Sequence, residues 1–546
     1  ALWFVMTLVV AACTLWAWRR QLQILAAGEL EAPPRTELLV LAFMTLFSIG
    51  AAVGMAFFVT PSWRDINWAM IVVMALGIAA GFVFRGLRML RSAPLFAAPP
   101  LASEGIILGA MLLGHLIFVP PLMSGGLEGG TVEFNENVGK KKAVVKKWEF
   151  ALTDPGFYCS SPTLDGDRLY AAAAHPTFRG GTLICLDRQT GLKKWEFIDD
   201  GAFKQVISTP FVADGKLYIG EGFHGDPKCK IYCIDAEKGE KLWDFETNNQ
   251  TESSPTVADG KLYAGAGNDG IYCFDVKKSI DQKKGVVAWR YPPADYKGRD
   301  LRFGAGMRVV GKKLYCGTGV HRDLKYKDKG ETAIFCIDAE SGKLHWKVAS
   351  PYPIWSTPVV KGDSVYVTTG NGDIVDDAAK PETPGGALLC LDAETGKERW
   401  RFKVGNGIIE TPAVDESHVY FGSRDGNVYC VGRNGGKERW RYFLESPVIA
   451  TPALHVNEQK ETVSVFAVST GGKICCMDPG TGDIVWTYNM ADRLPCITAS
   501  PKLVVTPMEK GHRRQLYIAA GVGGGLRGLT EHKAIVLCLE DQIKSE

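Results

Sequence analysis

Apolar residues along this chain fall into two regimes. In the first 122 positions they form four nearly unbroken runs, roughly 2–18, 38–60, 66–84 and 105–122. Each is about long enough for a helix to cross a ~30 Å hydrocarbon layer. The second, third and fourth runs lack the polar stripe that a helix buried in a water-soluble domain keeps. Four transmembrane helices are therefore expected over 1–122. A cleaved signal peptide would carry its cations before the first run, whereas Arg19 and Arg20 follow it. Arginines then set the orientation. Loop 19–37 holds Arg19, Arg20 and Arg35, and loop 85–104 holds Arg85, Arg88 and Arg91, while the short loop between the second and third runs has only Arg64 beside Asp65. Cationic loops stay in the cytoplasm. The N-terminus and everything after residue 122 then lie outside, which in a diderm bacterium is the periplasmic side of the inner membrane.

Three of the runs carry Gly-x-x-x-Gly (Gly50/Gly54, Gly77/Gly81, Gly105/Gly109). Small residues four apart let helix backbones approach closely in lipid, so packing within the chain's own bundle or against a partner is expected. His115 is the only histidine of this segment, and one histidine cannot supply both axial ligands of a b-type haem.

After a Gly-rich, charged linker at 123–142, the pattern becomes periodic and strand-like. Trp recurs at 148, 195, 243, 289, 346, 400, 440 and 486, with gaps of 47, 48, 46, 57, 54, 40 and 46 residues. Helical repeats would need apolar residues three and four apart, and these are missing; a period near 45–50 with strands points to a propeller. Each unit opens on a small-residue–Pro signal: SSPTL at 160, STPFV at 208, SSPTV at 253, STPVV at 356, ETPAV at 410, ATPAL at 450 and ASPKL at 499. The fourth unit departs from it with GAGMRVV at 304. A Leu-Tyr strand follows, then a Cys-x-Asp strand, then the Trp strand. Between the last two, Asp-x-x-Thr-Gly is hairpin chemistry, since Asp bonds nearby backbone N–H groups and Gly accepts a positive φ. The final unit ends without a Trp strand, and VVKKWEF at 144–150 precedes any opening signal. Residues 144–150 should therefore complete the eighth blade, because ring closure removes open sheet edges. The expected architecture is an all-β, eight-bladed propeller of four-stranded antiparallel blades over 143–546, preceded by the four-helix membrane domain.

The Cys-x-Asp-x-x-Thr-Gly-x-x-x-Trp pattern, complete at 185–195, 390–400 and 476–486 and with Lys238 or Ser341 for Thr in two more units, resembles the tryptophan-docking repeat of PQQ-type, quinoprotein-like propellers over about 400 residues; the Gly-His…Trp-Asp punctuation of WD40 repeats is absent. That resemblance implies a Trp wedged between neighbouring blades. In the family's dehydrogenases it further implies pyrroloquinoline quinone (PQQ) over the central funnel, a Ca²⁺ on it and an Asp base. VYVTTGNGDIVDD at 365–377 is similar to the family's Gly-Thr-Gly-Asn stretch, which would make Asn371 a calcium ligand with Asp373, Asp376 or Asp377 beside it. The aromatic residues that follow in the enzymes are replaced here, and a related Tyr-x-Gly-x-Gly-Asn ends at Asn268 in blade three.

Other candidates follow from position. Glu252 and Glu410 precede opening Pro signals, where inner strands meet the axis, and are expected to be polar funnel residues; a carboxylate there needs partners or water. His175, His224 and His321 share one loop type on three different blades, too dispersed for one metal. Eight of fourteen cysteines (185, 233, 273, 336, 390, 430, 476 and 538) occupy one repeat position, as buried filler would. No disulfide framework is expected, and with no Cys-x-x-Cys-His there is no covalent haem. Cys475–Cys476 is adjacent like the vicinal disulfide of the resembling enzymes, but Cys476 is the template cysteine.

A net charge of +2 with 22% charged residues gives no reason to expect nucleic acid as a partner. The expectation is a membrane-anchored, extracytoplasmic propeller without cofactor, non-enzymatic, docking membrane or periplasmic proteins as the BamB-type outer-membrane assembly scaffold does. It could equally serve as an accessory subunit of a membrane complex. The alternative is a PQQ- and Ca²⁺-dependent dehydrogenase passing electrons to membrane quinone. Membrane-bound glucose dehydrogenases resemble this layout, with larger catalytic domains.

Overall fold

The computed structural model describes residues 131–134, 144–156, 160–175, 180–223, 226–298, 300–319, 330–371, 385–493, 495–509, 511–523 and 533–543. The chain divides into units 1–126 and 127–546. The four apolar runs lie outside the described residues; among the described ones, no helix is long and apolar enough to cross a membrane.

The second unit is a ring of eight antiparallel sheets. In blade one the strands are Thr163–Asp165, Arg168–His175, Gly180–Asp187 and Lys193–Phe197, counted from the axis outward. Blades two to six repeat that order from Phe211 to Phe443. Blade seven runs from Ala453 to Asn489. Blade eight joins Lys502–Met508, Gly511–Val522 and Lys533–Ile543 to Val145–Pro155 as its outer strand. Trp148 pairs with Cys538 in that last ladder, so the ring closes with strands from both ends of the unit, as expected. Within the stretch read as a linker, Thr131–Phe134 adds a fifth strand to blade seven, alongside Ile484–Asn489.

One row of side chains explains the repeat. In every blade the outer-strand Trp sits opposite the Cys of the third strand, as in Trp195 with Cys185 and Trp400 with Cys390. That Cys sits in turn opposite an aromatic residue of the second strand, Tyr170 and Tyr366 in these two blades. The Trp then docks on the next blade. The Trp289 indole lies over Gly342, where a Cβ would come within 2.7 Å of the ring, and Gly342 has φ +71. Glycine is required there on both counts. Trp148, Trp195, Trp346, Trp400 and Trp440 stack likewise on Gly191, Gly239, Gly396, Gly436 and Gly482.

Hydrogen bonds fix the same junction. The Nε1–H of Trp195 donates to Ala236 O at 3.2 Å, and the Tyr170 hydroxyl donates to the same oxygen at 3.0 Å. Trp289 and Tyr263 share Ala339 O, and Trp346 and Tyr315 share Ala393 O. Each shared carbonyl belongs to the residue just after the turn Asp, so both of its lone pairs are used across the blade boundary.

At three more boundaries the indole takes a backbone carbonyl, Trp148 that of Arg188, Trp400 that of Arg433 and Trp440 that of Pro479, while the Tyr517 and Tyr420 hydroxyls turn to Gln515 and Asp415. The two remaining boundaries give the indole no such carbonyl. Blade three replaces its turn with a short helix, Val276–Gln282, capped by Asp275. The Nε1 of Trp243, buried at 2% exposure, finds no acceptor there. Blade eight has no such turn either, since its outer strand comes from the start of the unit. There Trp486 donates to the Asp541 carboxylate at 2.6 Å. Arg514 holds that carboxylate through Nε at 2.7 Å and Nη2, with Ser464 on Nη1. His455 is buried beside this pair, and burial together with the Arg514 and His512 charges lowers its pKa to about 4.

A second belt runs round the axis. The residue before each opening Pro is Ser or Thr in seven blades, and at five boundaries its hydroxyl accepts the equivalent backbone N–H of the preceding blade. Ser161 donates to Thr209, Thr209 to Ser254, Thr357 to Thr411, Thr451 to Ser500 and Ser500 to Ser161, all at 2.9–3.1 Å. Blade four, the aberrant unit, has Gly306 instead, where a Cβ would lie 2.0 Å from the Thr357 hydroxyl. The departure in sequence is thus a steric requirement.

Trp346→Phe should cost about 1 kcal/mol more stability than Trp243→Phe by chemical denaturation, since only Trp346 loses an indole hydrogen bond; equal losses would contradict the shared-carbonyl account. His455 binds no proton in the fold until well below its unfolded value of about 6.5. Stability should therefore fall as pH drops from 6.5 towards 4, by up to ~3 kcal/mol. His455→Gln should flatten that part of the pH profile in denaturation midpoints.

Candidate functional site

The first strands line the axis, and each starts on the face where second strands end. That face carries the second-to-third-strand connections, and its axial opening is the candidate site. Three residues before the opening Pro or its equivalent, consecutive blades place Glu252, Gly304 and Trp355. A Cβ on Gly304 would have the Glu252 Oε2 at 3.6 Å and the Trp355 Cζ3 at 3.8 Å. A carboxylate and an indole therefore flank a bare stretch of backbone. The same position holds buried Ile409, Ile449 and Thr498 in blades six, seven and eight, so among the described residues the carboxylate and the indole at this level fall within three consecutive blades. Glu252 itself is 8% exposed.

Glu410 occupies a different level from Glu252, one residue nearer its Pro. Four blades have Ser there, and Ser160, Ser208 and Ser356 each donate to a second-strand carbonyl of their own blade. Glu410 cannot reproduce that bond. It keeps partial access to the axial channel, accepts a long bond from Thr411 N at 3.4 Å, and has its pKa raised to about 7 by its enclosure. Lys502, on the first strand of blade eight, is lowered by burial and partly restored by the Glu410 charge. The two candidate carboxylates thus lie in blades three and six with different neighbours.

Asn371 is 8% exposed at the neck of the blade-five connection, where its N–H donates to Gly385 O at 3.0 Å. Gly407 must be glycine beside it, since a Cβ would approach Asn371 O to 2.4 Å. Asn268 sits exposed in a tight turn closed by Asp269 N–H on Ala266 O, so the two asparagines are not equivalent. Asp373, Asp376 and Asp377 lie outside the described residues, as do His224 and His321. His175 is buried, with its Nε2 2.8 Å from the Thr182 hydroxyl. Cys475 and Cys476 are free thiols in one regular strand. Successive strand residues point to opposite faces, and the two thiols pack in different cores.

The repeat template hid three further residues. Trp355 and Lys502 are described above. Glu221 follows a second strand where blade three has Ala266, is 1% exposed, and accepts from Lys204 N, Lys230 N and the Tyr232 hydroxyl. Burial raises its pKa to about 7. In register with the other units, YIGEGF and PIWSTP carry the only outward sign of Glu221 and Trp355.

For PQQ with Ca²⁺, Glu252 and Trp355 would offer one carboxylate and one flat face. Calcium wants six to eight oxygens, and among the described residues no three of His, Cys, Asp and Glu gather where a metal could sit. The described residues do not complete that seat.

A PQQ-repeat family model described as outer membrane protein assembly factor BamB matches residues 207–320, 274–380 and 382–530. A lanthanide-dependent methanol dehydrogenase of Methylacidiphilum fumariolicum is 31% identical over 118 residues, 22% of this chain and 16% of that protein. A polyvinylalcohol dehydrogenase of Sphingopyxis is 24% identical over 261 residues, 46% of this chain and 34% of that one. The chain therefore spans about a third or less of the length of these relatives. The quinohemoprotein alcohol dehydrogenase structure from Comamonas testosteroni superposes with TM-score 0.53 at 14% identity, over 72% of this chain and 76% of that one. At that identity the likeness is one of fold.

An ionised Glu410 is disfavoured in the fold, so the folded state holds its proton up to about pH 7 while the unfolded chain releases it near 4.5. Stability should fall as pH rises through that window. Glu410→Gln should therefore stabilise the protein at pH 8 relative to pH 5, on the order of 1 kcal/mol after screening by channel water, as read from thermal midpoints at the two pH values.

Proposed function

Since the chain belongs to the PQQ-repeat family described as outer membrane protein assembly factor BamB, we propose that its propeller is a rigid docking disc for other proteins. The observation that carries this reading is an asymmetry between the two faces. On the mouth face, the segments between second and third strands range from four residues (176–179 and 423–426) to fifteen (318–332 and 371–385). On the opposite face, six blades join their first and second strands with a two-residue turn, and the exceptions are only three residues in blade six (415–417) and five in blade seven (457–461). Length variation concentrated on one side of a fixed scaffold is how folds carry recognition.

In this reading, residues 1–122 anchor the disc as four membrane helices. The propeller lies outside the cytoplasm, on the periplasmic side of the inner membrane in a diderm. Its partners are membrane or periplasmic proteins, and the chain serves as a scaffold or as an accessory subunit of a membrane complex. The second reading, a PQQ- and Ca²⁺-dependent dehydrogenase reducing membrane quinone, is favoured by the Glu252–Gly304–Trp355 sector and by the dehydrogenases that part of this chain resembles.

Replacing residues 372–384 by a short Gly-Ser link should remove a specific set of co-purifying membrane proteins while leaving the thermal midpoint within about 2 °C. Pull-downs from detergent-solubilised membranes compared by mass spectrometry provide the check. Stoichiometric PQQ uptake in the presence of Ca²⁺, with dye-linked alcohol oxidation abolished by Glu252→Ala or Asn371→Ala, would replace the docking reading with the enzymatic one. Protease accessibility in sealed vesicles of known orientation tests the anchor separately.

A further inference from the structure

Blade seven differs from the other seven blades at its rim in two independent ways. Among the described residues it alone has five strands, because Thr131–Phe134 pairs antiparallel with Ile484–Asn489 in the register Thr131 with Asn489 to Phe134 with Trp486. Its own outer strand also reads IVWTYN, without a charged residue. The outer strands of the other blades read KKWEF, KLWDFET, VAWRY, LHWKVA, ERWRFKV, ERWRYF and VKKWEFALTDP. Each carries at least one charge. Charged side chains are the usual guard that keeps an open edge from pairing with another strand, and blade seven lacks that guard. Ile484, Trp486, Thr487 and Tyr488 are buried, whereas Glu398–Val404 in blade five alternates between exposed and half-buried.

We propose that the outer edge of blade seven is a strand-addition site for the chain's own Thr131–Phe134, and that this addition is a releasable clasp on the tether. A four-residue strand with one neighbour is held by few bonds and opens far more readily than the blade beneath it. Clasped, the link between the apolar run ending at 122 and the propeller is residues 123–130, eight in number; released, it is 123–143, twenty-one. At ~3.4 Å per residue the extended reach changes from about 27 to about 70 Å. The reach argument rests on the membrane-anchored reading above; the clasp does not.

Hydrogen–deuterium exchange on the full-length chain in detergent tests it. The outward-pointing amides of 484–489 should exchange about tenfold or more slowly than those of 398–404, yet faster than the third strand, Lys473–Met477. Val132→Pro and Glu133→Pro cover both hydrogen-bonding phases, and one of them should bring 484–489 to the rate of 398–404. Equal rates in the unmodified chain would overturn the proposal. So would protection surviving both substitutions, which would mean that something else covers the edge. Exchange of 484–489 only with global unfolding would leave a strand but no release, and would also overturn it. Failure of the membrane anchor would leave these rates untouched.

Discussion

At six of the eight blade boundaries the ring depends on a single backbone carbonyl that accepts the docked indole. Ala236, Ala339 and Ala393 each accept an indole N–H and a phenol O–H from the blade before. A carbonyl has two lone pairs, and using both across a boundary fixes the neighbour in distance and in rotation. The indole adds a flat apolar face over a glycine that no other residue could replace. Burial then follows, and each core is shared by adjoining blades: Tyr170 and Cys185 of blade one lie in the same cluster as Leu217 and Ile234 of blade two. The boundaries that lack a suitable turn show what the arrangement needs. At the closure a buried carboxylate held by Arg514 takes over as acceptor, and at blade three the indole goes without. A buried ion pair is a weak source of net stability but a precise one of geometry, which suits the place where the ring must be sealed.

That rigidity separates scaffold from site. The Ser/Thr belt and the docked tryptophans hold eight inner strands around an axial channel, and the longest connections that differ between blades are carried at the mouth. Glu252, Gly304 and Trp355 make one polar sector, followed round the ring by Ile409 and Ile449 at the same position. Glu410 and Lys502 put opposite charges into the channel, each pushed towards neutrality by its enclosure. The belt lacks a hydroxyl at Gly306, in the blade that also contributes the bare Gly304, and Thr411 N turns to Glu410 instead of the next blade. The unit that departs from the repeat in sequence is therefore the one that opens space at the mouth.

Residues locked to the period were legible from sequence because they recur. Trp, Cys, the turn Asp and Gly, and the opening Pro all mark one structural position, and the closing strand at 144–150 followed from counting them. Candidates in the long connections were not legible, because Asn371 leaves the template there and its resemblance to Asn268 is one of letters. Glu252 and Glu410 looked equivalent until the one-residue offset from Pro put them at different depths. Blade irregularity was visible in another measure: eight residues separate the opening Pro from the second-strand Tyr in blade one (Pro162 to Tyr170). The corresponding interval is fourteen in blade seven (Pro452 to Phe466) and sixteen in blade eight (Pro501 to Tyr517). Those additions lengthen the inner hairpins of two adjoining blades, whose His455 and His512 rings meet at 5.4 Å. Thr131–Phe134 carries no such signal, being four residues in a Gly-rich, charged context.

Sealing the eighth blade with Val145–Pro155 has a consequence for biosynthesis. Trp148 cannot meet Cys538 until some 390 further residues have been made. At roughly 5–20 residues per second that interval is about 20–80 s. Throughout it, one of the first strands of the propeller to emerge waits as an unpaired ribbon, and seven blades assemble without the contact that locks them. A nascent chain of this design is exposed to mispairing for longer than its compact blades suggest, and completes its cooperative structure only when its last strand is released.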